Sequence, residues 1–223
     1  MFIGHYGPAL GAKAALPRLP LWVLFIAVQF MDVCCMTLMI LGIEKARIVP
    51  GFTEGAQFDA YYMPYTHSLE GALVLSFVYG GVVALFFPRE RKQVFPIAAL
   101  AVFSHWILDL RVHVPDLPLW GNSLKVGFGL WRHLWISLPL ELALLLAGAL
   151  LYVRYVPARG KGNIAFWIFI LLLAALQMYD SFGPLPADIA SGAKEALFIY
   201  AALALVAAAV DLTRTKAPVP GNV

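Results

Sequence analysis

Charge is scarce in this chain. Of its 223 residues only 13% are Asp, Glu, Lys or Arg, while 61% are hydrophobic. Soluble domains carry about 25% charged residues. The shortage excludes a soluble enzyme and a disordered chain, because a soluble core of this size could not hide so much apolar surface. Cysteine is equally sparse. Cys34 and Cys35 are adjacent in an apolar run, a placing that rarely forms a disulfide, so they read as apolar packing and no disulfide framework is expected. The opening stretch Met1–Tyr6 shows no basic leader and no clear cleavage site, so no removable signal peptide is expected. Nor is there a large excess of positive charge. The net +3 sits in short basic clusters between apolar runs, which suits membrane lipid and not nucleic acid.

What the chain does have is long apolar runs. A spanning helix needs about 20 mostly apolar residues, and six runs qualify or nearly so, at about 20–43, 69–87, 93–110, 133–156, 164–180 and 193–211. They are continuous, not alternating, which favours helices over a barrel. A seventh, shorter segment at 5–16 ends in Pro17-Arg18-Leu19-Pro20, a turn that stops one helix and starts another. The expected fold is an all-α integral membrane protein. It has one domain over 1–223, about six transmembrane helices, and a short N-terminal half-helix folded back as a hairpin. Residues 1–130 would carry the site, and 131–223 would supply supporting helices and a short C-terminal tail.

The positive-inside rule orients the spans. With the Pro17–Pro20 turn inside, ten basic residues, including Lys13, Arg18, Arg89, Arg91, Lys92 and Lys216, fall inside against six outside. The C-terminus is then cytoplasmic. The long loops at about 44–68 and 111–132 face outward, in a bacterial inner membrane if the source is Gram-negative.

Ionisable groups inside a bilayer are costly and by default mark function. His5 lies twelve residues before Pro17 and Asp32 twelve after Pro20, so the hairpin sets them side by side. His105 reaches a similar depth, and Asp109 is one helical turn further on the same face. His67 and Glu70 open the second full span on the same outer side, and His113 would extend the His105–Asp109 face. Imidazole and carboxylate at i and i+4 can converge on one cation. With His5, Asp32 and His67 they make a ligand set suited to Zn²⁺, or to Mn²⁺ or Fe²⁺. The bland alternative is a hydrogen-bonded network that only fixes helix packing. Asp59, Glu70 and His113 are candidates for moving protons, and Asp116 for a partner of the site. Ser68 reads as a helix cap rather than a nucleophile. Trp120, Trp131, Trp135, Tyr61, Tyr62 and Tyr65 read as an interfacial aromatic belt.

Gly4-His5, Asp32, Tyr65-Thr66-His67-Ser68-Leu69 and Phe103-Ser104-His105-Trp106-Ile107-Leu108-Asp109 occur in an order that resembles the membrane-bound metal-dependent hydrolases, also described as LexA-binding inner-membrane-associated hydrolases. The likeness covers about residues 4–130. It implies a metal site at His5, Asp32, His67, His105 and Asp109, and hydrolysis. Two departures stand out. Relatives often carry a PDxDH-type segment, where Phe30-Met31-Asp32-Val33-Cys34 keeps one acid. They also often carry His-Arg shortly before the Thr-His-Ser, where this chain has Tyr62-Met63-Pro64. Losing that pair removes a phosphate clamp; Asp59 is a candidate for the missing acid.

Three functions follow as expectations. The first is a metal-dependent hydrolase acting on a lipid-like ester, phosphoester or amide. The second is a proton- or cation-coupled transporter or channel using the same groups. The third is a structural membrane protein whose polar layer sets packing.

Overall fold

The computed structural model describes residues 1–214; Lys216 and the C-terminal tail lie outside the described residues. A 3₁₀ turn at Ile3–His5 runs into α1 (Tyr6–Ala15), followed by α2 (Leu21–Ile40), β1 (Lys45–Ile48), β2 (Phe58–Tyr62), α3 (Leu69–Leu85), α4 (Arg91–Val112), α5 (Leu134–Tyr155), α6 (Gly162–Phe182) and α7 (Ile189–Leu212). Five helices, α2 and α4 to α7, are long and apolar enough to cross a membrane, and α3 is a shorter apolar helix. The molecule is therefore predominantly helical, with apolar helices compatible with a helical membrane protein. The helix positions match the six apolar runs and the short leading segment read from the sequence.

The two long loops are more ordered than expected. Within the first, β1 and β2 pair antiparallel, with Arg47 opposite Asp59 and an irregularity between Lys45 and Arg47. The second closes on itself through bridges Leu117–Val126 and Trp120–Ser123. Ser68 does cap α3, accepting from the Gly71 N–H at 3.0 Å, which satisfies a free amide of the first turn.

Packing departs from a two-helix hairpin. Besides lying against α2, α1 is pressed on α5 at a pair of glycines. A Cβ on Gly7 would collide with the Leu144 carbonyl, and one on Gly148 with Gly7; small residues allow such close helix approach in membranes. Tyr6, Phe25 and Phe169 stack in series at 4.5 and 5.5 Å, joining α1, α2 and α6 in the core. Large apolar side chains such as Phe77, Leu85, Phe198, Leu205 and Leu212 point outward, as expected where lipid is the solvent.

One end of the bundle gathers its basic connections. Arg18 in the α1–α2 turn lies 3.6 Å from Glu90 in the α3–α4 turn. Lys13 near the end of α1 meets Asp211 near the end of α7 at 2.8 Å. The Arg159 amide, between α5 and α6, donates to Thr213 just past α7. The β-hairpin and the 113–133 loop lie at the opposite end, over the polar cluster described next.

Candidate metal centre

Four of the five histidines converge on two carboxylates. His5 is carried by the 3₁₀ turn, Asp32 by α2, His67 by the residue before the α3 cap, His105 and Asp109 by α4, and His113 by the residue that ends α4. Asp109 is the hub. Its carboxylate lies 3.2 Å from His5 Nε2, 3.1 Å from His105 Nε2, 3.5 Å from His113 Nε2 and 3.7 Å from His67 Nε2. Asp32 stands 3.3 Å from His67 Nε2 and 3.5 Å from His105 Nε2. The Met1 amino group also lies on Asp109, at 2.7 Å. His5 and His105 are fully buried and their rings stack at 3.8 Å.

The expected contact of His5 with Asp32 is replaced by one through His105, which touches both. The reason is packing: α1 rests on α5 as well as α2, so α4 brings His105 to the place the hairpin alone would leave to the pair. His133, the fifth histidine, is exposed at the start of α5 and takes no part.

Three of the rings have their outer nitrogen already engaged. His105 Nδ1 faces the Val28 carbonyl at 2.7 Å. His113 Nδ1 faces Asp116 at 2.8 Å. His67 Nδ1 lies 2.9 Å from the Thr66 hydroxyl, which itself donates to Glu44 at 2.6 Å and so accepts from the ring. When such a ring is neutral, these partners favour a proton on Nδ1 and leave the Nε2 lone pair toward the carboxylates, the pattern by which metal-binding histidines are oriented. Nε2 of His5 and of His105 has no hydrogen-bond partner despite full burial, a costly state for a polar atom with no ligand to meet. Donor atoms of His5, His105 and Asp109 lie within 4.8 Å of one another, and so do those of Asp32, His67 and His105. Nitrogen and oxygen donors in this number fit a divalent transition metal.

Outside the spanning segments, His113 is the clearest electrostatic case. Burial opposes its charge, but Asp116 and Asp109 outweigh that and its pKa is pushed up to about 9. The other two candidate proton carriers are held elsewhere. Asp59 pairs with Arg47 at 2.7 Å across the β-hairpin. Glu70 accepts the Gly121 amide at 2.6 Å and anchors the second long loop. Each carboxylate meets a donor nearer than the cluster, so neither turns toward it.

Several further residues hold the site, and of these only Tyr200 and Glu44 carry no advance signal. Tyr200 on α7 donates to Asp32 at 3.0 Å. Glu44 is buried and also accepts the amides of Tyr65 and Thr66, pinning the segment that presents His67. Trp131 is buried against His113, with ring centroids 4.2 Å apart, instead of joining an exposed belt with Trp120 and Trp135. Glu141 on α5 accepts the amides of Phe2 and Gly4, which holds the segment bearing His5. Tyr200 and Glu44 have no spacing partner that would flag them, whereas Glu141 stands out as a costly acid inside a span, with helix packing as the alternative reading.

No family model, curated protein or solved structure matches the chain.

Proposed function

We propose that this protein is a metal-dependent membrane hydrolase. One observation carries the reading: the Nε2 atoms of His5, His67, His105 and His113 face Asp32 and Asp109, with three of the rings oriented from behind. The resemblance carried by Gly4-His5, the Thr-His-Ser and the Ser-His-Trp-Ile-Leu-Asp segments agrees with it. His5, Asp32, His67, His105 and Asp109 would hold the ion, with zinc the best match and manganese or iron the alternatives. A divalent ion held there supplies Lewis acidity for hydrolysis of an ester, phosphoester or amide.

The chain's own residues do the rest. Tyr200 orients Asp32, and the Glu44–Thr66 relay orients His67. His113, buried, bonded to Asp116 and lining the cavity, carries a proton to or from the reacting group at Nε2. Hydrolysis adds water across the scissile bond, and the leaving group takes the proton.

The membrane arrangement belongs to the same proposal. Six crossings follow if α3 spans: its 17 residues give about 26 Å, close to the hydrocarbon thickness of about 30 Å. The segment from Ile3 to Ala15 is then the half-helix. The basic end is cytoplasmic and the cluster lies toward the outer face, by the positive-inside rule.

Metal analysis by mass spectrometry on purified protein tests the reading. About one equivalent of a divalent transition metal per chain is expected, with at least a tenfold loss in His105→Ala and in Asp109→Ala. A metal-free wild type that stays metal-free after dialysis against zinc would overturn it.

A further inference from the structure

A cavity of about 310 Å³ opens beside the cluster, near the lower end of the range for ligand pockets, about 300–1,000 Å³. Charges of both signs meet at its inner end, where Asp32 and Asp109 stand with His67, His113 and the Met1 ammonium. Away from the cluster the cavity continues as a slot between α6 and α7. Leu176, Tyr179 and Gly183 line it from one face of α6, and Ile189, Ala193, Ala196 and Tyr200 from one face of α7. Tyr200 reaches Asp32 at 3.0 Å, so slot and cluster belong to one space. Asp180 and Glu195 also line it but are exposed, and water serves them.

The slot reaches below the level of the helix ends. Ile199 stands ten residues into α7 and Leu176 six from the end of α6, about 15 and 9 Å from the hairpin end of the bundle. Its deeper wall is apolar, with Met36 and Met39 of α2 opposite those two, and flexible thioethers and aliphatic side chains adapt to a chain-like occupant. Access is also one-sided. On the hairpin side the Gly55 amide donates to the Trp131 carbonyl at 2.8 Å, Glu54 accepts the Leu134 amide, and Phe58 meets the Trp131 ring edge-on at 5.9 Å. These contacts tie the two long loops together over the cavity. On the α6–α7 side the wall residues Tyr179 and Leu185 are about half exposed, and the same helices carry the strongly exposed Leu171 and Phe198. An opening bordered in this way faces hydrocarbon when the helices lie in a bilayer.

We infer that the cavity is an acyl-chain site: a single-chain lipid enters sideways between α6 and α7 and lies with its chain along Met36, Met39, Leu176 and Ile199 and its polar head toward His67 and His113. As a substrate class this rests on the hydrolase reading. The chain is recognised by burial against the apolar slot, and the head by hydrogen bonding at the mixed-charge end. The small cavity admits one chain and not two.

The test uses the full chain in nanodiscs of phosphatidylcholine containing a monoacylglycerol with a diazirine on its chain. After irradiation the crosslinked residues are mapped by mass spectrometry. Labelling is expected at Met36, Met39, Leu176 or Ile199, and excess unlabelled monoacylglycerol should reduce it at least fivefold. Ala196→Trp, which narrows the slot, should reduce it as much. If that variant misfolds, the competition on the wild type decides alone. Labelling confined to outward-facing residues such as Phe198 and Leu205, labelling that does not saturate, an unchanged yield in folded Ala196→Trp, or equal labelling of the slot by a diacylglycerol with the same diazirine would overturn the inference. Metal content is read in a separate aliquot. A chain that takes metal but shows no saturable slot labelling overturns the inference alone; one labelled as expected that never takes metal overturns the hydrolase reading alone.

Discussion

The two ends of this helical bundle bury charge in opposite ways. At the basic end, Lys13 meets Asp211 at 2.8 Å and donates to the Leu19 carbonyl, while Asp211 also accepts the Leu21 amide. Arg214 donates to Val156 and Asn163 and covers the rings of Tyr152 and Phe166 at 4.8 and 5.0 Å. Lys13 and Asp211 are matched there, while the Arg214 guanidinium leaves Nε and Nη2 without a hydrogen bond, and the contacts tie chain ends together. At the other end, four imidazoles crowd two carboxylates, and ring nitrogens lie buried with no hydrogen bond. The Lys13–Asp211 pair is complete in itself. The second arrangement crowds imidazole and carboxylate donors around Asp109, which already holds the Met1 ammonium at 2.7 Å, and that concentration of donors is why one end reads as scaffold and the other as a candidate site.

The largest effect should come from breaking the matched pair. Lys13→Met strands Asp211 and should cost about 3–5 kcal/mol, whereas Lys13→Met with Asp211→Leu should recover most of it, since apolar replacement of a whole buried pair is often near neutral. Denaturant unfolding in detergent reads both. A double variant as unstable as the single one would show that this end is not a simple scaffold pair.

Next in size is the effect of metal at the other end. Zinc at about a hundred times its dissociation constant should stabilise the wild type by about 2.7 kcal/mol and leave Asp109→Asn unmoved. Chelation should reverse the gain. Thermal melts with and without zinc decide this, and equal shifts in both proteins would remove the contrast.

Smaller still is the change in metal-free protein when an unpartnered ring is removed. His5→Leu should alter stability by no more than about 1 kcal/mol, and in the stabilising direction, because it deletes buried nitrogens that have no partner. The same variant should lose the zinc-dependent gain. A loss of several kcal/mol without metal would make His5 a packing residue.

The smallest effect is in pH. His113 is held above its ordinary value of 6.5, at about 9, by Asp116 and Asp109 against the cost of burial. Its charged-state stabilisation is therefore fully present below pH 6.5 and is lost as pH rises through about 9. In metal-free protein the stability gap between wild type and Asp116→Asn, about 1 kcal/mol, should shrink over that window. A gap that is constant from pH 6 to pH 9.5 would separate His113 from Asp116.

Much of the architecture is legible in the residues. Hydropathy marks α2 to α7, because a helix that must satisfy its backbone inside lipid needs an unbroken apolar run. The Pro17–Pro20 turn separates α1 from α2 for local steric reasons. His105 and Asp109 share a face because a helix repeats every 3.6 residues. Asp59 and Glu70 show the limit. Both are acids near the site in sequence, yet Arg47 and the Gly121 amide capture them, and those partners come from loops whose pairing no periodicity reveals.

Composition and periodicity alone thus determined a helical chain suited to a bilayer and the heights at which its histidines and aspartates sit. Rise per residue converts position along a run directly into depth. Azimuth and neighbours were left to tertiary packing: the Gly7–Gly148 crossing that presses α1 on α5, the stacking of His5 on His105, the Tyr200 bond to Asp32 and the Glu44–Thr66 hold on His67. Each depends on how side chains from distant segments fit sideways against one another, and no local repeat encodes that.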